Sequence, residues 1–347
     1  MYIGNRQIGA NVAPFIIAEM SGNHNQSLDR ALQIVDAAAA TGADAVKLQT
    51  YTPDTITLNI RTDDFKISDE KSLWKGRNLH DLYRDAHTPW EWHKPIMERA
   101  RSHGMICFSS PFDETAVDFL EDLDVPAYKI ASFENIHIPL LKKVASTRKP
   151  IIVSTGMASI AEIDEVVETV RENNGGDIVL LKCTSTYPAT PKDSNILTIP
   201  HMKSLFRCEI GLSDHTMGVG VAVAAIAHGA TVIEKHFTLS RAEGGVDSTF
   251  SLEPQEMTNL VVEAQRAWQS LGEISYGPTA AEEKSLAFRR SIYVAKDIAA
   301  GEILTHENLR IVRPAFGLAP KHYDLLIGRQ AIRDTKAGTP ATWGLIM

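Results

Sequence analysis

Eight short apolar runs recur along most of this chain, and between most of them lies a stretch with helical spacing. The runs are PFIIAEM, DAVKLQT, GMICFSSP, PAYKIAS, PIIVSTG, DIVLLKCTS, CEIGLSDH and TVIEKHFT. Strands alternating with helices require parallel pairing through crossover connections. Eight such units in roughly 260 residues fit a (β/α)8 TIM barrel, which typically takes about 250. An open doubly wound sheet is the alternative, and the lack of a G-x-G-x-x-G turn after the first run argues against its dinucleotide-binding form. Helix limits are readable in places. LDRALQIVDAAAATG opens after Ser27, a good N-cap, and stops at Gly42. IAEIDEVVETVRENNGG starts near Ser159 and ends at Asn174-Gly175-Gly176.

Two departures from the repeat carry information. A long polar insert, residues 52–88, follows the second strand, and in a barrel that position lies over the C-terminal mouth where active sites form. After the barrel (residues 1–271) the pattern changes. Residues 272–287 read as a linker. Residues 288–347 read as a small β-rich domain in which a strand, a Gly-containing turn, a short helix and a second strand follow one another. Sixty residues bury little core, so this domain is expected to dock on something.

The net charge of -8 argues against a nucleic-acid partner. No run approaches the ~20 apolar residues of a membrane span, and the first residues lack the layout of a secretory signal. Cys107, Cys183 and Cys208 show no C-x-x-C spacing and read as reduced buried thiols, so a cytoplasmic location is expected.

In a barrel, the residues at the C-terminal ends of the strands carry the chemistry. Here those ends supply Glu19; Lys47, Gln49 and Tyr51; Ser110; Lys129, Ser132 and Glu134; Ser154; Lys182, Ser185 and Tyr187; Ser213 and His215; and Lys235 and His236. Hydroxyls, backbone N–H groups and lysines suit a phosphate. A histidine closing each of two successive strands suits a divalent metal ion, with His215 and His236 as its ligands and the substrate completing the shell. Read blandly, strand-end histidines and serines are hydrogen-bonding and capping groups. A lysine inside a barrel is harder to dismiss, because an unpaired buried charge is costly. Two rival readings stand beside the metal site. Lys182 could form a Schiff base, as in a class I aldolase, or the barrel could bind carbohydrate without catalysis.

The stretches IIAEMSGNHNQSLDRAL, GADAVKLQTYTPDTIT, FSSPFD, AYKIASFE, IIVSTGMAS, LLKCTSTYP, GLSDHT and EKHFT, in that order, resemble the sialic acid synthase family, and RPAFGL resembles its antifreeze-like (SAF) domain. TYTPDTITL, SLWKGRNLHDLYRDAHTPWEWH and GGVDSTFSLEP look most like the pseudaminic acid branch; Gly245-Val246-Asp247 stands where other branches show a Gly-Pro-Asp type of sequence. The resemblance implies a TIM barrel plus SAF domain in a domain-swapped homodimer. It also implies a metal-dependent condensation of phosphoenolpyruvate with an amino-sugar aldehyde, with manganese the usual metal and magnesium or cobalt possible. The roles it implies are Glu19 and Lys47 as catalytic groups and Ser110, Lys129, Ser132, Ser154, Ser185 and Ser213 for phosphoenolpyruvate. Gln49, Tyr51, Glu134, Tyr187, Asp247 and Arg313 would hold the sugar, Arg313 from the partner subunit. The legionaminic and N-acetylneuraminic branches are the alternatives.

Overall fold

The computed structural model describes residues 1–70 and 72–346. The first of two compact units ends at Gly272. Its eight parallel strands close into a barrel: β1 (Phe15–Glu19), β2 (Ala45–Thr50), β3 (Ile106–Pro111), β4 (Tyr128–Ile130), β5 (Ile151–Ser154), β6 (Ile178–Cys183), β7 (Glu209–Ser213) and β8 (Val232–His236), with β8 pairing back onto β1. The outer helices are α1 (Leu28–Ala40), α2 (Trp90–Ser102), α3 (Glu114–Asp122), α4 (Ile138–Ser146), α5 (Ile160–Glu172), α6 (Thr198–Phe206), α7 (Gly220–Ala227) and α8 (Pro254–Leu271). Helix α1 is capped by Ser27, whose hydroxyl accepts Arg30 N–H, and α5 opens with a Ser159/Glu162 capping box.

Side chains alternate across each strand, and this sorts the barrel into two cores. The larger core lies between strands and helices, with Ile16, Val46, Ile130, Leu180 and Ile233 facing Ile34, Leu140, Val167 and Leu260. The inner core is built by Phe15, Ile17, Ala45, Phe108, Ala127, Ile152, Val179, Leu181 and Val232. A small N-terminal hairpin (Tyr2–Ile3 with Arg6–Gln7) brings Ile3 and Ile8 onto this inner cluster. Burying each such side chain contributes roughly 1.5–3 kcal/mol. Gly211 is required in this layer: a Cβ there would stand 2.2 Å from the Val232 carbonyl oxygen and 2.6 Å from Leu181 Cδ2.

The 52–88 insert is folded. It contains helical turns at Pro53–Ile56 and Asp63–Phe65, an antiparallel bridge between Lys66 and Asn78, and a two-turn helix over Leu79–Ala86 capped by Asn78.

The second unit begins at Glu273. Strands β9 (Ser291–Val294) and β10 (Leu309–Val312) pair antiparallel over a separate core that includes Ile292, Val294, Leu304, Leu309, Leu326 and Leu345. The short helix expected between these strands is absent. A single turn takes its place, closed by Leu309 N–H on the Thr305 carbonyl at 3.0 Å, while the Asn308 side chain accepts Thr305 N–H at 2.7 Å and donates to the Ile303 carbonyl at 3.0 Å.

Candidate active site

Following the inward-facing positions up each strand, apolar side chains give way to polar ones within two residues. Ile17 leads to Glu19, Ala45 to Lys47 and Gln49, Phe108 to Ser110, Ala127 to Lys129, Ile152 to Ser154, Leu181 to Cys183, and Val232 to Glu234 and His236. All of these polar positions but Ser110 open on a cavity of about 470 Å³ at the C-terminal mouth. Its wall includes Glu19, Lys47, Gln49, Lys129, Ser132, Glu134, Ser154, Cys183, Tyr187, Ser213, His215, Glu234, His236 and Asp247.

The floor is a cluster of two lysines and two carboxylates. Lys47 Nζ stands 2.7 Å from Glu19 Oε2 and 3.7 Å from Glu234 Oε2, and donates to Ser110 Oγ at 3.2 Å. Lys129 Nζ donates to Ser154 Oγ at 2.7 Å and lies 3.7 Å from Glu234 Oε1, which accepts the Ser213 hydroxyl at 2.9 Å. Gln49 Nε2 holds Glu19 Oε1 at 2.9 Å. Burial raises the Glu19 carboxyl above its ordinary range, and Lys47 only partly offsets this. Burial also lowers the Lys129 ammonium, against the opposing pull of Glu234. The Glu134 carboxyl, removed from water with Oε2 unpartnered among the described residues, is pushed up to about 7.

Beside this floor the rings of His215 and His236 face each other at 5.2 Å between centroids, against Tyr187 and Phe250. His215 Nδ1 lies 2.9 Å from the Thr184 carbonyl, which fixes the ring and leaves Nε2 free. His236 Nδ1 is buried without a hydrogen-bond partner among the described residues. Burial and the neighbouring His215 hold the His236 imidazole well below its ordinary range, so it stays neutral and ready to coordinate. The donor chemistry fits a divalent ion. Among the described residues, however, no group of three or more His, Cys, Asp or Glu side chains could hold one, so an ion on His215 and His236 would need substrate or water to complete its shell.

The remaining sequence candidates fall in different places. Tyr51 is buried on the cavity wall against Tyr83 and Phe112. Asp247 accepts the Ser21 hydroxyl and lies 3.8 Å from His236 Nδ1. Ser110 sits behind Lys47 with no exposed surface, and Ser185 stands beside Ser132 at Gly156, where an added Cβ would lie 2.1 Å and 2.7 Å from the two hydroxyl oxygens. Arg313 is exposed in the second unit.

Two lysines of the strand-end inventory are not part of the mouth. Lys235 faces outward and is neutralised by Asp214 at 2.8 Å. Lys182 also faces outward, donating to the Cys183 carbonyl at 2.8 Å, which removes the basis for a Schiff base on β6. Two residues were missed: Glu234, which joins both lysines, and Cys183, whose Sγ lies 4.0 Å from His215 Nδ1. Burial raises that thiol, but His215, together with Ser132 and Lys129, more than offsets this and brings it to about 7. Stepping back by two from His236, or forward by two from Leu181, finds both.

Residues 34–276 match the NeuB family and residues 289–347 the SAF domain. The pseudaminic acid synthase of Campylobacter jejuni is 46% identical over 341 residues, 97% of both chains. The N,N'-diacetyllegionaminic acid synthase of Legionella pneumophila is 35% identical over 345 residues, 98% of this chain and 96% of the other. Among solved structures, the N-acetylneuraminic acid synthetase of Leptospira borgpetersenii, in complex with citrate, superposes with a TM-score of 0.73 at 32% identity, covering 82% of this chain and 94% of that one. The barrel, its mouth and these matches agree: the chain belongs to the NeuB family of sialic-acid-synthase-like enzymes and carries a C-terminal SAF domain.

Proposed function

We propose that this chain is a pseudaminic acid synthase, condensing phosphoenolpyruvate with 2,4-diacetamido-2,4,6-trideoxy-L-altrose to give pseudaminic acid and phosphate. NeuB membership places it among phosphoenolpyruvate-dependent enzymes that make nonulosonic acids from amino sugars. The choice of sugar rests on the branch-like motifs and on the higher identity to the Campylobacter enzyme. The observation that carries the chemistry is the charged floor beside the paired histidines. Lys47 and Lys129 are balanced by Glu19 and Glu234, so the floor brings no net positive charge to a highly anionic substrate. A divalent cation on His215 and His236 would supply that charge.

A cation held there by His215 and His236, manganese or else magnesium or cobalt, would supply Lewis acidity for the aldehyde and for water. Lys129, Ser132, Ser154, Ser185 and Ser213 would hold phosphate and carboxylate, with Ser110 and Lys47 beneath them. Gln49, Tyr51, Glu134, Tyr187 and Asp247 would hold the sugar, with the partner subunit's Arg313 completing the site in a domain-swapped homodimer. Carbon 3 of phosphoenolpyruvate bonds to the aldehyde carbon, whose oxygen gains a proton. Water adds at carbon 2, Glu19 moves a proton at that oxygen, and the tetrahedral centre sheds phosphate by C–O cleavage. Phosphoenolpyruvate labelled with ¹⁸O at the bridging oxygen tests this. The label should leave in inorganic phosphate; its retention in the nine-carbon product would refute C–O cleavage.

A further inference from the structure

The roof of the cavity differs chemically from its floor. The floor presents ion pairs and hydroxyls, whereas the 52–88 insert contributes mainly apolar side chains to the same wall, Ile56, Ile67, Trp74, Leu79, Leu82 and Tyr83 among them, with Ser72 adding a hydroxyl. Trp74 fastens this roof: its indole N–H donates to the Val246 carbonyl at 3.1 Å, and its ring meets Tyr187 at 5.8 Å. The insert therefore closes over the mouth onto the loop that carries Asp247. Ile67 is fixed by its own backbone, whose N–H donates to the Arg77 carbonyl at 2.9 Å and whose carbonyl accepts Gly76 N–H at 2.7 Å.

The geometry points to the insert as the element that selects the sugar, by receiving the end of the substrate remote from the aldehyde on an apolar surface. Resting on the reading above, we infer that this surface favours a sugar ending in a methyl group over one ending in a hydroxymethyl group. The aldehyde must lie at the charged floor, so a short-chain sugar extends its far carbons toward the roof. A hydroxyl placed against Ile67 and Leu79 loses its water without gaining a partner, whereas a methyl group gains contact.

The test is a one-atom comparison. Phosphate release is measured with the 2,4-diacetamido-2,4,6-trideoxy sugar and with the same sugar bearing a hydroxyl at carbon 6, for the wild type and for Ile67→Asn, Ile67→Val and Leu79→Asn. The wild type should prefer the 6-deoxy sugar by about tenfold or more in kcat/KM. At least one asparagine variant should cut that preference below about threefold through the sugar KM, leaving the phosphoenolpyruvate KM within about twofold. Ile67→Val should keep the preference. Equal use of the two sugars by the wild type, or an unchanged preference in both asparagine variants with turnover retained, would overturn this inference alone. No phosphate release by the wild type with either sugar would overturn the condensation reading and this inference together. Melting temperatures identify a variant that fails through misfolding, and Trp74→Phe against Trp74→Ala then gives the same comparison at the fastening point. There the ring alone should keep the preference; its loss in both Trp74 variants alike would also overturn the inference.

Discussion

Glu19 and Lys47 form a 2.7 Å ion pair at the bottom of an open cavity, and the side chains are only 1% and 4% exposed. Removing one member of a buried pair costs about 3–5 kcal/mol because the other charge is left unpaired. The two removals are not equivalent here. Lys47→Met leaves two carboxylates facing Lys129 alone, whereas Glu19→Gln leaves two lysines sharing Glu234. Lys47→Met should be the less stable variant in urea unfolding and should bind phosphoenolpyruvate at least tenfold more weakly by calorimetry. Glu19→Gln should bind phosphoenolpyruvate within about threefold of wild type yet lose at least a hundredfold in turnover. The opposite ranking would refute the assigned roles.

Glu134 provides a pH test. Its carboxyl is raised from an ordinary value of 4.5 to about 7, chiefly by burial. A carboxyl raised on folding binds its proton more tightly in the native state, so its contribution is fully present below about pH 4.5 and is lost as pH rises through 7. Glu134→Gln should therefore match the wild type in stability at low pH and gain on it up to about pH 7. The gain should plateau at about 1–3 kcal/mol, reduced by the partial access of water to this side chain. Urea midpoints at pH 4.5, 6 and 8 measure it. A difference independent of pH would show that the carboxyl titrates normally.

Gly156 tests the anion side of the mouth. Its backbone N–H donates to Ser132 Oγ at 3.2 Å, and a methyl group on it would crowd both Ser132 and Ser185. Gly156→Ala should raise the phosphoenolpyruvate KM by about tenfold while the sugar KM stays within about twofold. An equal rise in both would remove these serines from the phosphate site.

The histidine pair and Lys182 separate metal chemistry from Schiff-base chemistry. His215→Ala and His236→Ala should lose bound metal, measured by elemental analysis, and at least a thousandfold in turnover, with near-native circular dichroism. Lys182→Met should keep turnover within about tenfold, because that side chain faces away from the mouth. Full activity in both histidine variants with metal still bound would refute the site.

Much of this was legible in the sequence because strand and helix periods are strong local signals. The eight apolar runs became the eight barrel strands, and the histidines at the ends of CEIGLSDH and TVIEKH face each other. What local reading could not supply was the side of each strand. Lys235 and His236 are neighbours in sequence, yet one is sealed against Asp214 outside the barrel and the other lies in the mouth. Glu234 shares the inward side with His236, two residues on, but its partners Lys47 and Lys129 come from distant strands. The roof was illegible for a different reason. Ile67 and Trp74 lie in a polar segment without periodicity, and only the folded insert brings them to the same wall as Tyr187.

The most direct test of the central claim is phosphate release from phosphoenolpyruvate with manganese. Three sugars are offered in parallel: 2,4-diacetamido-2,4,6-trideoxy-L-altrose, its D-mannose counterpart and N-acetylmannosamine, each product being checked by mass. Turnover is expected with the altrose sugar, at least tenfold above the other two, with release of one phosphate per nine-carbon acid formed. Preferred turnover of either other sugar would contradict the pseudaminic acid assignment, and no metal-dependent turnover with any of them would contradict the condensation itself.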